Sequence, residues 1–311
     1  PRDVMGTYLQ FVVLGLGLGA VYIGLGTGLL LVFRSTGIVN FAQGAMAMWG
    51  SYVFAQLRLD GTLVLPVGSI DFGSPPPIPV ALAVGLITAI ALGAIVHYLV
   101  FRPVRRAPAL AQVVVSVALM LTVQALVVLR FGPNNIAIED IVPAGTVTLF
   151  GTSLSSAELV MAAIMVVLAA AVWAYLRFTR AGAATRAAAE NERGATLMGF
   201  SADRLAAVAM VAGAFVSTVG VVLGASLTGL NPLNYSLLVV PALAVLLVAR
   251  MESIGVVVVA ALVLGAFQSV LNLLTGLVAL VILIFMLIGA ATVVAAGLGL
   301  VLLVPGMWAA W

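Results

Sequence analysis

The chain has 311 residues, of which 64% are hydrophobic and only 7% are charged, and its formal net charge is +3. A soluble domain carries roughly 25% charged residues, so this composition excludes a globular enzyme and predicts an integral membrane protein with several spans. All thirteen basic residues are arginines, and there is no cysteine. The absence of lysine excludes a P-loop, whose lysine reaches the phosphates of ATP. The absence of cysteine excludes disulfides and thiolate metal sites.

Apolar stretches of about 20 residues, the length that a helix needs to cross a bilayer, recur along the whole chain. The candidate spans cover residues 8–33, 37–57, 79–101, 109–131, 157–178, 205–228, 236–249, 254–275 and 277–304. The seventh candidate is short for a span. The sequence therefore predicts an all-α integral membrane protein, a polytopic helical bundle of about 8–9 transmembrane segments.

The distribution of arginine predicts the orientation of the bundle, because arginine is enriched in cytoplasmic loops. If the N-terminus lies outside, ten of the thirteen arginines fall on the inner side of the membrane. Only Arg2, Arg58 and Arg130 then fall outside. We therefore expect the N-terminus on the outer side.

Glycine marks the first two segments in different ways. The first span carries two pairs at GxxxG spacing, Gly15 with Gly19 and Gly24 with Gly28. This spacing lets two helix backbones approach closely in lipid. A nucleotide-binding loop is not predicted, since no strand precedes these glycines. In the second segment, Gly44 and Gly50 are expected to interrupt the helix.

Two pairs of polar residues lie inside apolar spans. Asn40 and Gln43 occur in the second segment, and Gln268 and Asn272 lie one turn apart on the eighth. Polar side chains at membrane depth usually face the interior of the bundle. Two interpretations remain open for these four residues. They form hydrogen bonds between helices, or they line the translocation path, the route of the solute through the bundle.

The connections between spans carry turn signals. Residues 60–79 are rich in Pro and Gly and are expected to form a stiff, non-helical loop. Pro103 is expected to end the third span, and His97, one turn earlier, to pack or to reach the interface rather than to catalyse. Residues 132–156 alternate apolar and polar side chains, which predicts a small hairpin or a surface helix. Residues 229–235 are expected to form an outer turn.

Residues 177–204 form a long polar segment that holds five of the thirteen arginines. Within it, residues 183–198 are dense in good helix formers. Gly199 stands where a left-handed C-cap would end that helix, and Ser201 is expected to cap the next one. One interpretation is an amphipathic helix that rests on lipid. The mixed charge and weak amphipathicity favour the other interpretation, a helix that docks into a groove of another protein.

Three stretches carry a family resemblance: GLGLGAVYIGLGTGLLLVFRSTGIVNFAQGAMAMWGSY, FRPVRRAPALAQVVVSVAL and TRAGAATRAAAENERGATLMGFSADRLAAVAMVAGAFVSTVGVVLG. In this order they resemble the membrane subunit, or permease, of branched-chain amino acid ABC importers, and more narrowly the first of the two permease types of that system. The resemblance covers residues 8–275. It implies a multi-pass protein of a bacterial or archaeal cell (inner) membrane.

The same resemblance divides the chain into two parts. Residues 1–275 correspond to an ABC importer permease domain, and residues 276–311 form a hydrophobic C-terminal segment. The end of that segment, VPGMWAAW, keeps the Pro-Gly of the family but lacks its usual basic residues. We interpret it as a truncated end of the permease or as the start of a fused second permease.

The resemblance also implies what this chain works with. The expected partners are a second permease subunit, two cytoplasmic ABC ATPase subunits and an extracytoplasmic substrate-binding protein, within membrane lipid and without nucleic acid. The chain itself is expected to be no enzyme and to hold no cofactor, because ATP is bound by the ATPase subunits. The expected solutes are branched-chain amino acids or related small polar molecules.

In this family, the stretch that corresponds to RAAAENERGATLMGF is the permease signature, a helix seated in a cleft of the ATPase. We refer to residues 186–200 as the coupling segment. Carried over by position, its ATPase-facing residues are Arg186, Ala187, Ala189, Glu190, Asn191, Ala195, Leu197, Met198, Gly199 and Phe200.

Three alternatives are weighed against this interpretation. A ribose-type sugar permease of the same superfamily would share the architecture, but FRPVRRAP and the NFAQ stretch favour the amino acid branch. A secondary transporter or channel would need ion-coupling charges inside its spans, and the sequence places no Asp or Glu in the middle of one. An intramembrane enzyme would need a nucleophile with its base, and no such pair is found.

Overall fold

The computed structural model of the protein describes residues 2–138, 141–142, 145–149, 152–190, 195–196 and 198–275. The helices of this part are α1 (Arg2–Thr36), α2 (Gln43–Asp60), α3 (Ile78–Val96), α4 (Ala109–Phe131), α5 (Ser156–Phe178), α6 (Arg180–Glu190), α7 (Ala202–Thr228), α8 (Pro232–Leu237), α9 (Val239–Val248) and α10 (Ile254–Thr275). A π-helical turn (His97–Phe101) and one further α-helical turn (Arg102–Val104) prolong α3.

Six of the described helices, α1, α3, α4, α5, α7 and α10, are long and apolar enough to cross a membrane. Helix α2 has 18 residues and ends with Arg58 and Asp60 in its last turn. The apolar stretch Pro232–Val248, which contains α8 and α9, is shorter than these six. The chain is thus an all-α, multi-pass membrane protein, as predicted. The count of 8–9 segments stays a prediction, and the predicted span 277–304 lies outside the described residues.

Helix α1 forms the centre of the bundle, and 83% of its most apolar stretch is buried. Its glycines lie on two faces: Gly24 and Gly28 face α7, and Gly15 and Gly19 face α10. A Cβ added to Gly24 would lie only 3.0 Å from the Cα of Gly220. Both predicted GxxxG pairs are therefore confirmed as places where helix backbones nearly touch.

Helix α2 is also buried almost throughout. It begins at Gln43, six residues later than predicted, because Asn40 Oδ1 accepts a backbone N–H two residues further on (3.0 Å) and holds a turn before the helix. The expectation that Gly44 and Gly50 interrupt this helix is wrong. A Cβ on Gly50 would lie 2.8 Å from the backbone oxygen of Gly85, so this glycine lets α3 pack closely.

Each end of the bundle collects a different set of arginines. Arg34, Arg102 and Arg186 line one cavity at one end, which we call the basic end. Arg130 lies at the other end, where it donates to backbone oxygens in the turn between two short strands, and Arg58 donates to the loop before α3. This alternation agrees with the predicted succession of crossings. That the basic end faces the cytoplasm stays a prediction.

Two small antiparallel hairpins lie at the end opposite the basic end. Strands β1 (Thr62–Val64) and β2 (Ser69–Asp71) pair within the predicted non-helical loop. Strands β3 (Thr146–Leu149) and β4 (Thr152–Ser155) form the hairpin that was predicted as one option for residues 132–156. The backbone of Ile136 pairs with that of Leu230 and so joins the loop after α4 to the loop after α7.

Two boundaries differ from the prediction. Pro103 does not end the third helix, which continues one residue past it to Val104. Residues 229–235 do not form a simple turn, because α8 begins at Pro232. The side chain of Asn231 accepts the N–H of Leu233 (3.1 Å) and caps α8, and proline is favoured at the first helical position.

Candidate functional site: the coupling segment and the polar core

The polar segment after α5 begins with a corner at Thr179. Its Oγ1 donates to the backbone oxygen of Tyr175 in α5 (2.7 Å) and accepts the N–H of Gly182 in α6 (3.0 Å). Thr179 thus caps α6, which is why this helix starts at Arg180 and not at residue 183 as predicted. The hydroxyl fixes the direction in which the segment leaves the bundle.

One face of α6 packs on the bundle, and the other is open to the surroundings. Ala184 and Ala188 are buried, whereas Ala187 is exposed. Ala188 forms a small apolar cluster with Ala195 and Ala202. The segment therefore folds back onto the first turn of α7, although its small side chains bury little area.

The remaining predicted residues of the coupling segment divide by position. Arg186 is half-buried and lines the cavity at the basic end. Ala189 and Glu190 form the last turn of α6. Their side chains, together with Asn191 and Leu197, lie outside the described part of the chain.

Gly199 ends the coupling segment in a left-handed conformation, with φ +84°. Its N–H donates to the oxygen of Thr196 (3.0 Å), and the N–H of Phe200 donates to that of Ala195 (3.0 Å). These two bonds define a Schellman C-cap. Ser201 Oγ then accepts the N–H three residues further on (3.1 Å) and caps α7. Both caps were predicted from the sequence and are confirmed.

The turn at Gly199 carries an exposed apolar patch. The side chains of Met198 and Phe200 are 78% and 41% exposed. They are followed directly by α7, whose most apolar stretch is 67% buried in the bundle. A protein that binds this patch would therefore be connected to the core of the bundle through the C-cap at Gly199.

Asp203 ties the first turn of α7 to the end of α3. Its Oδ1 lies 3.3 Å from His97 Nε2, and its Oδ2 lies 3.3 Å from Arg102 Nε. His97 is buried, as the packing role predicted for it requires, whereas Arg102 is largely exposed and lies over the ring of Tyr98. No sequence pattern predicts this contact, because 106 residues separate His97 from Asp203.

Asn40 and Gln43 are fully buried in the core between α1, α2 and α7. Asn40 Nδ2 donates to Gln43 Oε1 (3.1 Å), and Gln43 Nε2 donates to Ser217 Oγ (3.0 Å). Ser217 in turn donates to the backbone oxygen of Gly24 (3.3 Å). This chain of bonds joins three helices. It agrees with the first interpretation of Asn40 and Gln43, in which they form hydrogen bonds between helices. Their predicted place on the translocation path remains a prediction.

Gln268 and Asn272 lie elsewhere. Gln268 accepts a hydrogen bond from the buried hydroxyl of Tyr22 in α1, and Asn272 is exposed one turn further along α10. Tyr22 and Gly24 point in nearly opposite directions from α1, since two residues correspond to about 200° around a helix. The four predicted polar residues therefore lie in two separate pairs on opposite sides of α1. It does not form one site from them.

One buried acid was not anticipated by the sequence. Glu158 lies in the first turn of α5, but it is only 4% exposed and packs against Gly17 of α1. Its Oε2 has no hydrogen-bond partner among the described residues. A carboxylate in the first turn of a helix looks like an ordinary surface residue in a sequence, so only the packing reveals it. No cluster of three or more potential metal ligands occurs in the described residues.

Comparison with known proteins identifies relatives of this chain. The model of the family described as "Branched-chain amino acid transport system / permease component" matches residues 11–305. The chain is 27% identical over 238 residues to the high-affinity branched-chain amino acid transport system permease protein LivH of Salmonella typhimurium. This match covers 72% of the present chain and 73% of LivH. LivH of Escherichia coli K12 is 27% identical over 234 residues, and BraD of Pseudomonas aeruginosa is 25% identical over 230, with the same coverage of both chains. No solved structure matches the chain.

Proposed function

Because the chain belongs to the family of permease components of branched-chain amino acid transport systems, we propose that it is the membrane-spanning subunit through which an ABC importer moves its solute. The observation that carries this proposal is the coupling segment. It leaves the bundle at the basic end, presents Met198 and Phe200 to the outside, and returns directly into the central helix α7. The family is one of transport permeases and not of enzymes, and its members work together with other components of an ABC transporter.

The proposed assembly contains this chain, a second permease subunit, two cytoplasmic ATPase subunits and an external substrate-binding protein. ATP would be bound and hydrolysed by the ATPase subunits. The absence of lysine from this chain supports the assignment of ATP hydrolysis to other subunits, since a P-loop needs a lysine. The apolar patch at Met198 and Phe200 is the proposed contact with an ATPase cleft.

The proposed mechanism transmits the closure of the ATPase pair through two connections. The first is the cap at Gly199 and Ser201, through which a displaced coupling segment pulls on α7. The second is Asp203, which links the same turn of α7 to His97 and Arg102 on α3. A pull on the segment would therefore move a central helix and a peripheral one together and switch the bundle between its two accessible states.

The proposed solutes are branched-chain amino acids or related small polar molecules, as the names of the relatives suggest. Asn40, Gln43, Gln268 and Asn272 remain the proposed polar lining of the route. One member of each pair, Gln43 and Gln268, lies against α1, so a shift of α1 against α7 and α10 would expose its donors and acceptors to a solute. Uptake of labelled leucine, compared with ribose and urea, tests the solute class against the sugar-permease alternative.

The docking proposal is tested by placing a charge on the patch. Met198→Glu with Phe200→Glu should abolish copurification with the ATPase subunits and ATP-dependent uptake, because two carboxylates would have to be buried in an apolar cleft. The matched control is Val67→Glu, which changes an apolar side chain that is 91% exposed at the opposite end. If the double variant copurifies with the ATPase and transports as well as the control, the proposed coupling surface is wrong.

A further inference from the structure

Glu158 is a buried carboxylate at the end of the bundle opposite the basic end. It lies in the first turn of α5, three residues after strand β4, and only 4% of it is exposed. Its Cγ lies 3.2 Å from the position that a Cβ on Gly17 of α1 would occupy, and Leu227 Cδ1 of α7 lies 2.5 Å from the same position. The carboxylate is thus placed where three helices of the bundle meet.

The described part of the chain supplies no counter-charge to Glu158. Its Oε2 accepts no hydrogen bond from the described residues, and none of their ion pairs includes it. Arg58 and Arg130, at the same end of the bundle, donate to backbone oxygens of the loops. An ionisable side chain buried in a membrane protein is costly and is the usual mark of a route or a binding site. Glu158 therefore calls for a cation from outside this part of the chain.

The surroundings of the carboxylate favour an organic ammonium group over a metal ion. No group of three or more potential metal ligands occurs among the described residues. The side chain beside Glu158 is instead apolar, and this side chain, Leu227, is 38% exposed. Leu227 lies in the last turn of α7, and the C-terminal end of a helix carries a partial negative charge. A ligand with one ammonium group and one apolar chain would match both the carboxylate and the leucine.

Helix α7 connects this place with the coupling segment. It runs from Ala202 to Thr228, a length of 27 residues or about 40 Å. Ser201 caps its first turn next to the coupling segment, and Leu227 lies in its last turn next to Glu158. The proposed displacement of α7 would move Leu227 away from Gly17, because a continuous helix moves as one element. That movement would give a solute access to the carboxylate.

We propose that Glu158 binds the ammonium group of the transported amino acid, whose apolar side chain lies against Leu227. This inference rests on the proposed transport function and adds to it a residue that selects the solute. The bound ammonium group supplies the counter-charge that the described residues lack. A solute without an ammonium group, such as a sugar, would leave the buried carboxylate unpaired and would therefore be disfavoured.

The test is ligand-dependent thermal unfolding of the full chain, purified in detergent with the subunits that accompany it and without the external binding protein. The probes are leucine, isopentylamine and isocaproate, which share one branched carbon chain. Leucine and isopentylamine carry the ammonium group, whereas isocaproate carries only the carboxylate. We expect leucine and isopentylamine to raise the unfolding midpoint and isocaproate to leave it unchanged.

Glu158→Gln keeps the shape of the side chain and removes its charge. It should weaken the binding of isopentylamine about tenfold or more, the usual worth of a hydrogen bond to a charged group. Without ligand, this variant should unfold at a higher temperature than the unchanged protein, because an unpaired buried charge has been removed. A gain in stability together with a loss of binding cannot result from misfolding. Glu158→Asp, which keeps the charge, should retain part of the binding.

The matched control is Asp60→Asn, which removes an exposed carboxylate at the same end of the bundle. It should respond to all three probes as the unchanged protein does. The proposal is overturned if neither ammonium compound stabilises the unchanged protein, if Glu158→Gln responds to them equally, or if isocaproate stabilises as well as isopentylamine. A lower unfolding midpoint of unliganded Glu158→Gln would contradict the proposal and assign the carboxyl group a structural role. Equal stabilisation by sodium chloride and by isopentylamine would assign the site to an inorganic cation instead.

Parallel uptake measurements distinguish a failure of this inference from a failure of the proposed function. If the reconstituted transporter takes up leucine while Glu158→Gln binds the probes unchanged, only the role of Glu158 is wrong. If the probes bind as expected but the transporter takes up no amino acid, the proposed function is wrong and the ammonium site remains.

Discussion

Helices α1 and α7 and helices α3, α4, α5 and α10 all have the length and composition of membrane spans, yet they occupy opposite places in the bundle. In their most apolar stretches, 83% and 67% of the residues of α1 and α7 are buried, against 17–28% for the other four. The two buried helices have the lowest mean hydropathy of the six. Greater hydrophobicity thus accompanies exposure here, the reverse of a soluble protein.

The reason lies in the solvent. Lipid tails solvate an apolar side chain as well as a protein core does, so burying leucine inside the bundle gains little. Close backbone packing and hydrogen bonds between helices do stabilise the bundle, and glycine, serine and amide side chains supply them. The core accordingly contains Gly24, Gly28, Gln43 and Ser217, whereas large apolar side chains such as Ile87 point outward. Each prediction below tests this contrast between core and periphery.

The largest effect is expected at the contact between α1 and α7. In Gly28→Val, the new Cβ would lie 2.8 Å from the backbone oxygen of Gly213 and would also meet the hydroxyl of Ser217. Overpacking of this kind costs about 1–3 kcal/mol or more. The thermal unfolding midpoint in detergent should fall sharply. Gly255→Val on α10, where the nearest atom is 3.8 Å away, should leave it nearly unchanged. If Gly28→Val and Gly255→Val lowered the unfolding midpoint equally, the proposed distinction between core and periphery would be contradicted.

A smaller loss is expected when the polar bonds of the core are removed. Gln43→Leu deletes the bonds to Asn40 and Ser217 and should destabilise the protein by about 1 kcal/mol, the typical worth of such bonds in membranes. Thr122→Val on α4 is the control, because that exposed hydroxyl bonds only to its own helix. Uptake assays on the same variants separate two roles. If Gln43→Leu changes the KM for leucine while the unfolding midpoint stays constant, Gln43 contacts the solute.

A third prediction concerns Asp203, which joins the central α7 to the peripheral α3. Asp203→Asn should lower stability by less than about 1 kcal/mol, because the ion pair is partly exposed to solvent. In the reconstituted transporter, however, the amount of solute taken up per ATP hydrolysed should fall, since α3 no longer follows α7. Glu252→Gln, an exposed acid of the same end, is the control. An unchanged ratio in the Asp203 variant would show that α3 does not take part in coupling.

The smallest effect is expected on the outward face of α4. Leu121 is 55% exposed, and Leu121→Ala should change the unfolding midpoint by the equivalent of about 0.5 kcal/mol or less. Val127 lies on the same helix and is fully buried, so Val127→Ala removes fewer atoms and should nevertheless cost more. The reverse order of the two losses would mean that the outward face of α4 is covered by another protein in the purified sample.

Local features of this protein were largely determined by its sequence. The apolar runs specified the helices, because a backbone in lipid must satisfy its own hydrogen bonds. The GxxxG pairs in α1 and the caps at Gly199 and Ser201 followed from short-range chemistry and were predicted correctly, and the β3–β4 hairpin was one of the two options predicted for its loop. Errors remained at boundaries such as Gln43 and Pro232, where the amide of Asn40 holds a turn before one helix and the amide of Asn231 caps the other.

The tertiary structure decided which distant residues meet. It placed the pair Asn40–Gln43 and the pair Gln268–Asn272 on opposite sides of α1, buried Glu158, and joined Asp203 to His97. It also gathered five arginines from the end of α1, from the end of α3 with the turn that follows it, and from α6 into one cavity. None of this can be read from the sequence alone, since the same apolar helices can pack in several rotations about their axes. Small residues and a few polar contacts select one of those rotations, and their partners are known only once the helices are packed.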